Sequence, residues 1–176
     1  NKVCIMATSL QFIKSASAKQ VSTLDVTDCF NDGYDVYKII FNGANTDTNG
    51  IYAGFRVIVG GSAQSGGDYT NATLFLKSYS SFSEERRINA GDFENVAYMG
   101  TGNNEGAFGS VIYIYNPYDS SSYTFVSLQS SGDIGLGSKT IAVRTVADQV
   151  TGLQFKPENA YSSAKFDMDV SVYGVK

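Results

Sequence analysis

Histidine and tryptophan are absent from this 176-residue sequence, and proline and cysteine occur only twice each. Without histidine there is no Ser-His-Asp or Cys-His nucleophile system and no histidine-based zinc site. The commonest general base of enzymes is also missing. The sequence therefore predicts a protein that is not an enzyme and that has neither a cofactor nor a histidine-based metal site.

Long apolar runs and basic stretches are also lacking. No apolar run approaches the ~20 residues that a membrane-spanning helix needs. The formal net charge is −4 and the isoelectric point is near 4.7, with lysine and arginine scattered along the chain. A nucleic-acid binder needs basic surface to displace counterions from phosphates. We expect neither nucleic acid nor membrane as a partner.

The two cysteines, Cys4 and Cys29, supply neither a disulfide framework nor the spacing of a metal site. Free, partly buried thiols in a reducing compartment are the favoured interpretation, and whether the two residues pair stays open. Residues 1–8 are interpreted as an N-terminal extension or arm of the domain.

Aromatic and β-branched segments separated by Gly, Ser and Asn are abundant, which predicts strands and turns. In the last segment Phe166, Met168, Val170 and Val172 alternate with polar residues, the pattern of a half-buried strand. A short helix is expected at 81–88. The candidate strands are residues 9–14, 21–26, 34–43, 52–61, 72–79, 109–117, 122–130, 139–147, 151–157 and 166–173.

The predicted fold is therefore all-β, with one domain over residues 1–176. Roughly nine or ten short strands with Gly/Ser/Asn-rich connections are typical of an antiparallel β-sandwich of jelly-roll-like form.

Three glycine- or asparagine-containing motifs are rejected as sites. Residues 132–140 resemble a phosphate-binding loop, but Ser138 separates Gly137 from Lys139, and the segment leads into a strand. Residues 59–67 are glycine-rich without the strand–helix context of a dinucleotide site, and are expected to be a surface loop. The sequon at Asn71 matters only in a eukaryotic secretory pathway.

Residues 84–94 contain carboxylates, the groups that glycoside hydrolysis requires in pairs. Glu84 and Glu85 adjoin two arginines, and Asp92 and Glu94 follow. Adjacent opposite charges usually form a solvated face with weak ion pairing, and that interpretation is favoured over a catalytic pair.

The segment DVTDCFNDGYD, residues 25–35, places Asp25, Asp28, Asp32 and Asp35 around Cys29. Calcium prefers such clustered oxygens, but the spacing differs from that of an EF-hand loop. The NDG sequence favours a tight turn in which Asn31, Asp32 and Gly33 tolerate positive φ, with Cys29 and Phe30 directed to the core. Whether the aspartates bind calcium stays open, and the turn is favoured.

Five segments form a recognisable set: residues 6–41 (MATSLQFIKSASAKQVSTLDVTDCFNDGYDVYKIIF), 74–82 (LFLKSYSSF), 113–125 (YIYNPYDSSSYTF), 151–157 (TGLQFKP) and 170–176 (VSVYGVK). Together they resemble small virion structural proteins of tailed bacteriophages, particularly phages of marine bacteria. The resemblance covers nearly the whole chain and consists of strand and turn signatures, not of active-site motifs.

The resemblance implies a non-catalytic part of a virion, such as a head decoration or cement protein or a tail-appendage subunit. It implies other virion proteins of the capsid or tail as partners, a homo-oligomer, and folding in the bacterial cytoplasm before assembly. Loops at 44–68 and 100–108 are expected to vary with the partner. The predicted contact residues are Tyr113, Tyr115, Tyr118 and Tyr123, because tyrosine supplies area with little entropy loss. The alternative, that they are ordinary residues of the sandwich with some in its core, stays open.

The alternative is a carbohydrate-binding adhesion module that recognises the host surface, with calcium as a possible aid. The absence of tryptophan weakens this alternative, since the largest stacking surface is missing.

Overall fold

The computed structural model describes residues 10–48, 50–98, 108–132 and 135–176. The proposed extension at 1–8, Cys4 and the expected variable loop up to residue 107 lie outside these ranges. The described part has thirteen strands and a single 3-10 turn, Asn159–Tyr161. No helix in it has the length and apolar character to cross a membrane.

Two antiparallel sheets face each other. The strands are β1 (Leu10–Val21), β2 (Leu24–Val26), β3 (Val36–Thr46), β4 (Tyr52–Val59), β5 (Ser62–Ala63), β6 (Tyr69–Lys77), β7 (Ser83–Ala90), β8 (Phe93–Tyr98), β9 (Phe108–Tyr115), β10 (Thr124–Ser131), β11 (Leu136–Arg144), β12 (Val150–Pro157) and β13 (Phe166–Val175). The eight-stranded sheet has the order β1-β13-β3-β9-β10-β11-β6-β7. The smaller sheet has the order β2-β12-β4-β5, and β8 also pairs with β4.

The core lies between the sheets, which explains why apolar and polar residues alternate along the strands. In β13, Phe166, Met168, Val170 and Val172 are all buried, as the sequence predicts. From the smaller sheet, Phe55 and Phe155 pack into the same cluster, their rings 5.9 Å apart. The prediction of an all-β antiparallel sandwich of jelly-roll-like form is confirmed.

Each of the ten candidate segments overlaps a strand, but the number of strands was underestimated and the helix at 81–88 was predicted wrongly. Residues 83–90 form β7, an edge strand whose backbone pairs with β6. Glu84 and Arg86 are exposed on one face and Glu85 and Arg87 are half-buried on the other, so β7 lacks the apolar alternation that marks a strand. β5 and β8 were also missed.

A ladder of buried hydroxyl groups joins β8 to the larger sheet. Ser138 and Thr140 of β11 donate to the Val96 carbonyl oxygen of β8, at 2.7 and 3.3 Å. Ser130 Oγ lies 2.6 Å from Ser138 Oγ, and Thr73 Oγ1 lies 2.9 Å from Thr140 Oγ1. Buried backbone carbonyls need partners. Two side chains of β11 therefore supply the bonds that a neighbouring strand would otherwise make, and hydroxyl groups of β10 and β6 bond to them in turn.

Candidate functional site

The face of the eight-stranded sheet that points away from the core is the candidate site, and we call it the outer face. Side chains alternate between the two faces of a strand. In β3 the buried Tyr37, Ile39 and Phe41 point inward, so Val36, Lys38 and Ile40 point outward. A sheet with one solvated face normally has polar residues there. The outer face of this sheet does not follow that rule.

Strand register arranges the outer face in three rows that run across the strands. The apolar row is Leu10, Val175, Val36, Tyr115, Phe125, Val143 and Thr70. The central row is Phe12, Tyr173, Lys38, Tyr113, Ser127, Ile141, Ala72 and Arg86. The third row is Ser15, Ser171, Ile40, Val111, Gln129, Lys139, Leu74 and Glu84.

Large apolar side chains of these rows are open to solvent. Ile141 is 69% exposed and Phe12 is 57% exposed, and Phe125 and Leu74 are also exposed. Phe12 packs edge-on against Tyr173, with ring centres 5.8 Å apart. Large exposed apolar patches are typical of interaction sites, which makes this face the candidate.

The outer face carries charges of both signs. The three rows contain Lys38, Arg86, Lys139 and Glu84. Asp167 and Asp169 of β13 lie on the same face beyond the rows, since they alternate with the buried residues of that strand. Lys38 Nζ lies 6.0 Å from the centre of the Tyr113 ring, within reach of a cation–π interaction.

Three open depressions cover much of the outer face, and Ile141 lines all of them. The largest has a volume of about 800 Å³, with Ile40, Tyr113 and Gln129 among its lining residues. Depressions of about 660 Å³, beside Leu74, and about 520 Å³, beside Phe125, adjoin it. The three depressions adjoin one another around Ile141.

The four predicted contact tyrosines do not share one surface. Tyr113 and Tyr115 lie on the outer face, and Tyr115 Oη is 3.3 Å from Ser127 Oγ. Tyr123 is 46% exposed just before β10. Tyr118 packs against the core. The exposed aliphatic residues of the outer face were missed by sequence reasoning, although β3 and β11 show the signal, since both of their alternating sets contain apolar residues.

The aspartates of residues 25–35 form a corner between strands. All four are exposed, and Asp25 Oδ1 accepts a hydrogen bond from Gln154 Nε2 at 2.9 Å. The Gly33 amide donates to Asn31 Oδ1, which confirms a turn there, but positive φ occurs at Asp28 (50°). Among the described residues, no group of three or more Asp, Glu, Cys or His side chains is placed to hold a metal ion.

Cys29 and Phe30 are buried beneath this corner, as predicted. Both amides donate to the Thr151 carbonyl oxygen, and Cys29 Sγ donates to that of Val26 at 3.4 Å. Cys29 is a free thiol, and burial raises its pKa to about 12. The thiol is therefore protonated and unreactive at neutral pH.

A second cluster of charges was predicted as a solvated face, and for Asp92 that prediction is wrong. Asp92 is fully buried, with Oδ2 at 2.9 Å from Lys156 Nζ and 3.4 Å from Arg56 Nη2. Asn159 links the cluster by accepting from Lys156 and donating to Glu94. Burial, followed by the negative charge of Asp92, raises the pKa of Glu94. This network joins β4, β8 and β12 at the side of the smaller sheet, away from the outer face.

The side chain of Asn71, the first residue of the glycosylation sequon, lies in the interior of the protein. Asn71 is 2% exposed, and its Nδ2 donates to the Glu94 carbonyl oxygen at 3.1 Å.

Comparisons with known proteins give distant likenesses in structure only. No family model matches the sequence, and no curated protein matches it. The chain is similar to the alginate lyase Aly36B (9% identity, TM-score 0.38, 92% of this chain and 80% of that one) and to a marine PL-14 alginate lyase from Aplysia kurodai (8%, 0.37, 92% and 81%). It is also similar to a legume lectin-like domain from Entamoeba histolytica (9%, 0.27, 98% and 87%). The fold class defined by the strand pairing is an antiparallel β-sandwich.

Proposed function

We propose that this protein is a non-catalytic structural subunit of a larger assembly and that the outer face is its main contact surface. The observation that carries the proposal is the exposure of branched aliphatic side chains across that face, with Ile141 at its centre. Protein interfaces bury such side chains in their core and keep charges few there. The sequence resemblance to virion structural proteins of tailed phages supports a capsid or tail neighbour as the partner.

The partner's matching surface should be apolar with some acidic side chains. Lys38, Arg86 and Lys139 lie among the apolar residues of the outer face, so a partner with carboxylates opposite these three cations is complementary. Each copy needs only modest affinity, because repetition on a particle multiplies weak contacts.

The assay mixes the labelled full chain with phage particles that lack it and, separately, with host cells. Ile141→Glu is expected to lower retention on particles about tenfold or more, because it places a carboxylate in the centre of an apolar contact. Tyr161→Glu is the matched control, since Tyr161 is 43% exposed and belongs to the 3-10 turn after β12. The control should bind like the wild type. Equal retention of all three proteins, or no retention of the wild type on particles, would contradict the proposal.

Carbohydrate recognition is the second candidate, and the largest depression favours it. Tyr113 offers a ring there, and Ser127 and Gln129 offer hydrogen-bonding groups beside it. Retention on host cells but not on particles, lost in Tyr113→Ala, would support this candidate. The assay is repeated with a chelator. Retention that the chelator abolishes would implicate a calcium site formed by Asp25, Asp28, Asp32 and Asp35.

A further inference from the structure

The edges of the two sheets differ in how they are protected from pairing with another chain. Exposed edge strands are normally kept short, charged, bulged or covered. β2 has three residues and β5 has two. β7 carries four consecutive charged residues and a bulge, and the hydroxyl ladder covers the Val96 carbonyl of β8.

Strand β1 is the exception among these edges. It has twelve residues and pairs only with β13 in the described ranges. Its register is uninterrupted from Lys14 to Ala18, and Ser15 to Ala18 are small and uncharged. The one charge in this segment is turned aside, because Lys14 Nζ donates to the Thr27 carbonyl oxygen at 2.6 Å. A straight edge of five residues is therefore left open to another strand.

Bulges set the ends of this open segment. The register shifts between Phe12 and Lys14 and again between Ala18 and Val21. Gln20 has φ of 54°, and its amide donates to Asp167 Oδ1 at 2.8 Å, which holds the second bulge in place. Pairing beyond Ala18 is blocked by this geometry, so the open segment has a defined length.

We propose that β1 pairs antiparallel with β1 of a second copy of this chain, about a two-fold axis at Ala16. Ser15 of one copy then lies opposite Ser17 of the other, and Lys14 lies opposite Ala18. The segment matches itself in this arrangement, with no like charges opposed, as an isologous interface requires. Eight strands from each copy form one continuous sheet.

The second copy is favoured over a foreign peptide because the exposed side chains of the open segment, Ser15 and Ser17, are small. Strand addition by a peptide takes its specificity from pockets for alternate side chains. In this segment the side chains on the outer face are those of Ser15 and Ser17. The backbone can bond to another strand, but these side chains do not select a partner sequence. Self-pairing also places the outer faces of both copies on the same side. The inference goes beyond the proposed function and holds whatever the outer face contacts.

Charge exchange at the edge tests this interface in the full chain. The wild type is expected to have twice the monomer mass of 18.9 kDa by sedimentation or light scattering. The double variants Ser15→Glu/Ser17→Glu and Ser15→Lys/Ser17→Lys each oppose like charges across the axis. Each variant should raise the dissociation constant of the dimer about tenfold or more. An equimolar mixture of the two should recover the double mass, because opposite charges then face each other.

Ser80→Glu/Ser81→Glu is the matched control, since both serines are exposed in the turn between β6 and β7, at the other edge of the sheet. It should stay dimeric. A monomeric wild type, dimers that persist in both charged variants, or a mixture that stays monomeric would each overturn the proposal. The mixture makes the test independent of any loss of folding, since recovery requires two folded partners. Failure here leaves the particle-binding result unaffected.

Discussion

Replacing Asp92 by alanine is expected to lower the free energy of unfolding by about 3–5 kcal/mol. Asp92 is fully buried, and its Oδ2 atom bonds Lys156, which is itself 6% exposed. Without the carboxylate, the Lys156 ammonium stays buried with only the Asn159 oxygen as partner. An uncompensated buried charge is among the most costly defects of a folded protein. Urea unfolding at neutral pH measures the change.

Two further variants distinguish the effect of breaking the buried ion pair from the effect of removing a carboxylate elsewhere. Glu84→Ala removes an exposed carboxylate from the neighbouring strand β7 and should change stability by no more than about 0.5 kcal/mol. Asp92→Leu combined with Lys156→Met removes both charges, and should recover most of the loss. An Asp92→Ala variant no less stable than Glu84→Ala would show that the buried network contributes nothing.

Gly152→Ala is expected to destabilise the smaller sheet by about 1–3 kcal/mol, the usual cost of overpacking. A Cβ atom at Gly152 would lie 2.3 Å from the Val26 carbonyl oxygen and 3.0 Å from Thr27 Cα. Both are backbone atoms, so no side chain can move aside. Strand β2 would have to separate from β12 where Leu153 pairs with Val26. Thermal unfolding at a fixed pH measures the loss.

Gly109→Ala supplies the comparison for this second substitution. Gly109 is also a strand residue, in β9, and within the described residues a Cβ there meets no heavy atom inside 4 Å. Alanine should stabilise it slightly, because it reduces the entropy of the unfolded chain. If both variants unfold at the temperature of the wild type, the close approach of β2 to β12 is not a constraint.

Much of the fold follows from alternation within single segments. β13 was predicted with its buried face because Phe166, Met168, Val170 and Val172 recur with a period of two. β7 was wrongly predicted as a helix. It is a strand because it pairs with β6, and its charged residues give no sequence signal of that pairing. Local patterns identify a strand when one face is apolar and fail when tertiary pairing decides.

The candidate site was harder to predict than the fold. The candidate strand at 34–43 has apolar residues on both faces, and only the sheet order shows that Val36 and Ile40 face away from the core. The burial of Asp92 was invisible for a similar reason, since its partner Lys156 lies 64 residues away along the chain. Periodicity assigns residues to faces, and the pairing of distant strands decides what each face meets.

The hydroxyl ladder also constrains the order of events in folding. The Val96 carbonyl of β8 takes its partners from Ser138 and Thr140, which are 42 and 44 residues further along the chain. Those hydroxyls are in turn bonded to Ser130 and to Thr73, on two other strands. Until β8 has met β11, that carbonyl must remain bonded to water. The entropy of closing this long loop opposes the contact before the bonds form, so the Val96 carbonyl gains its partners only once β11 lies beside β8.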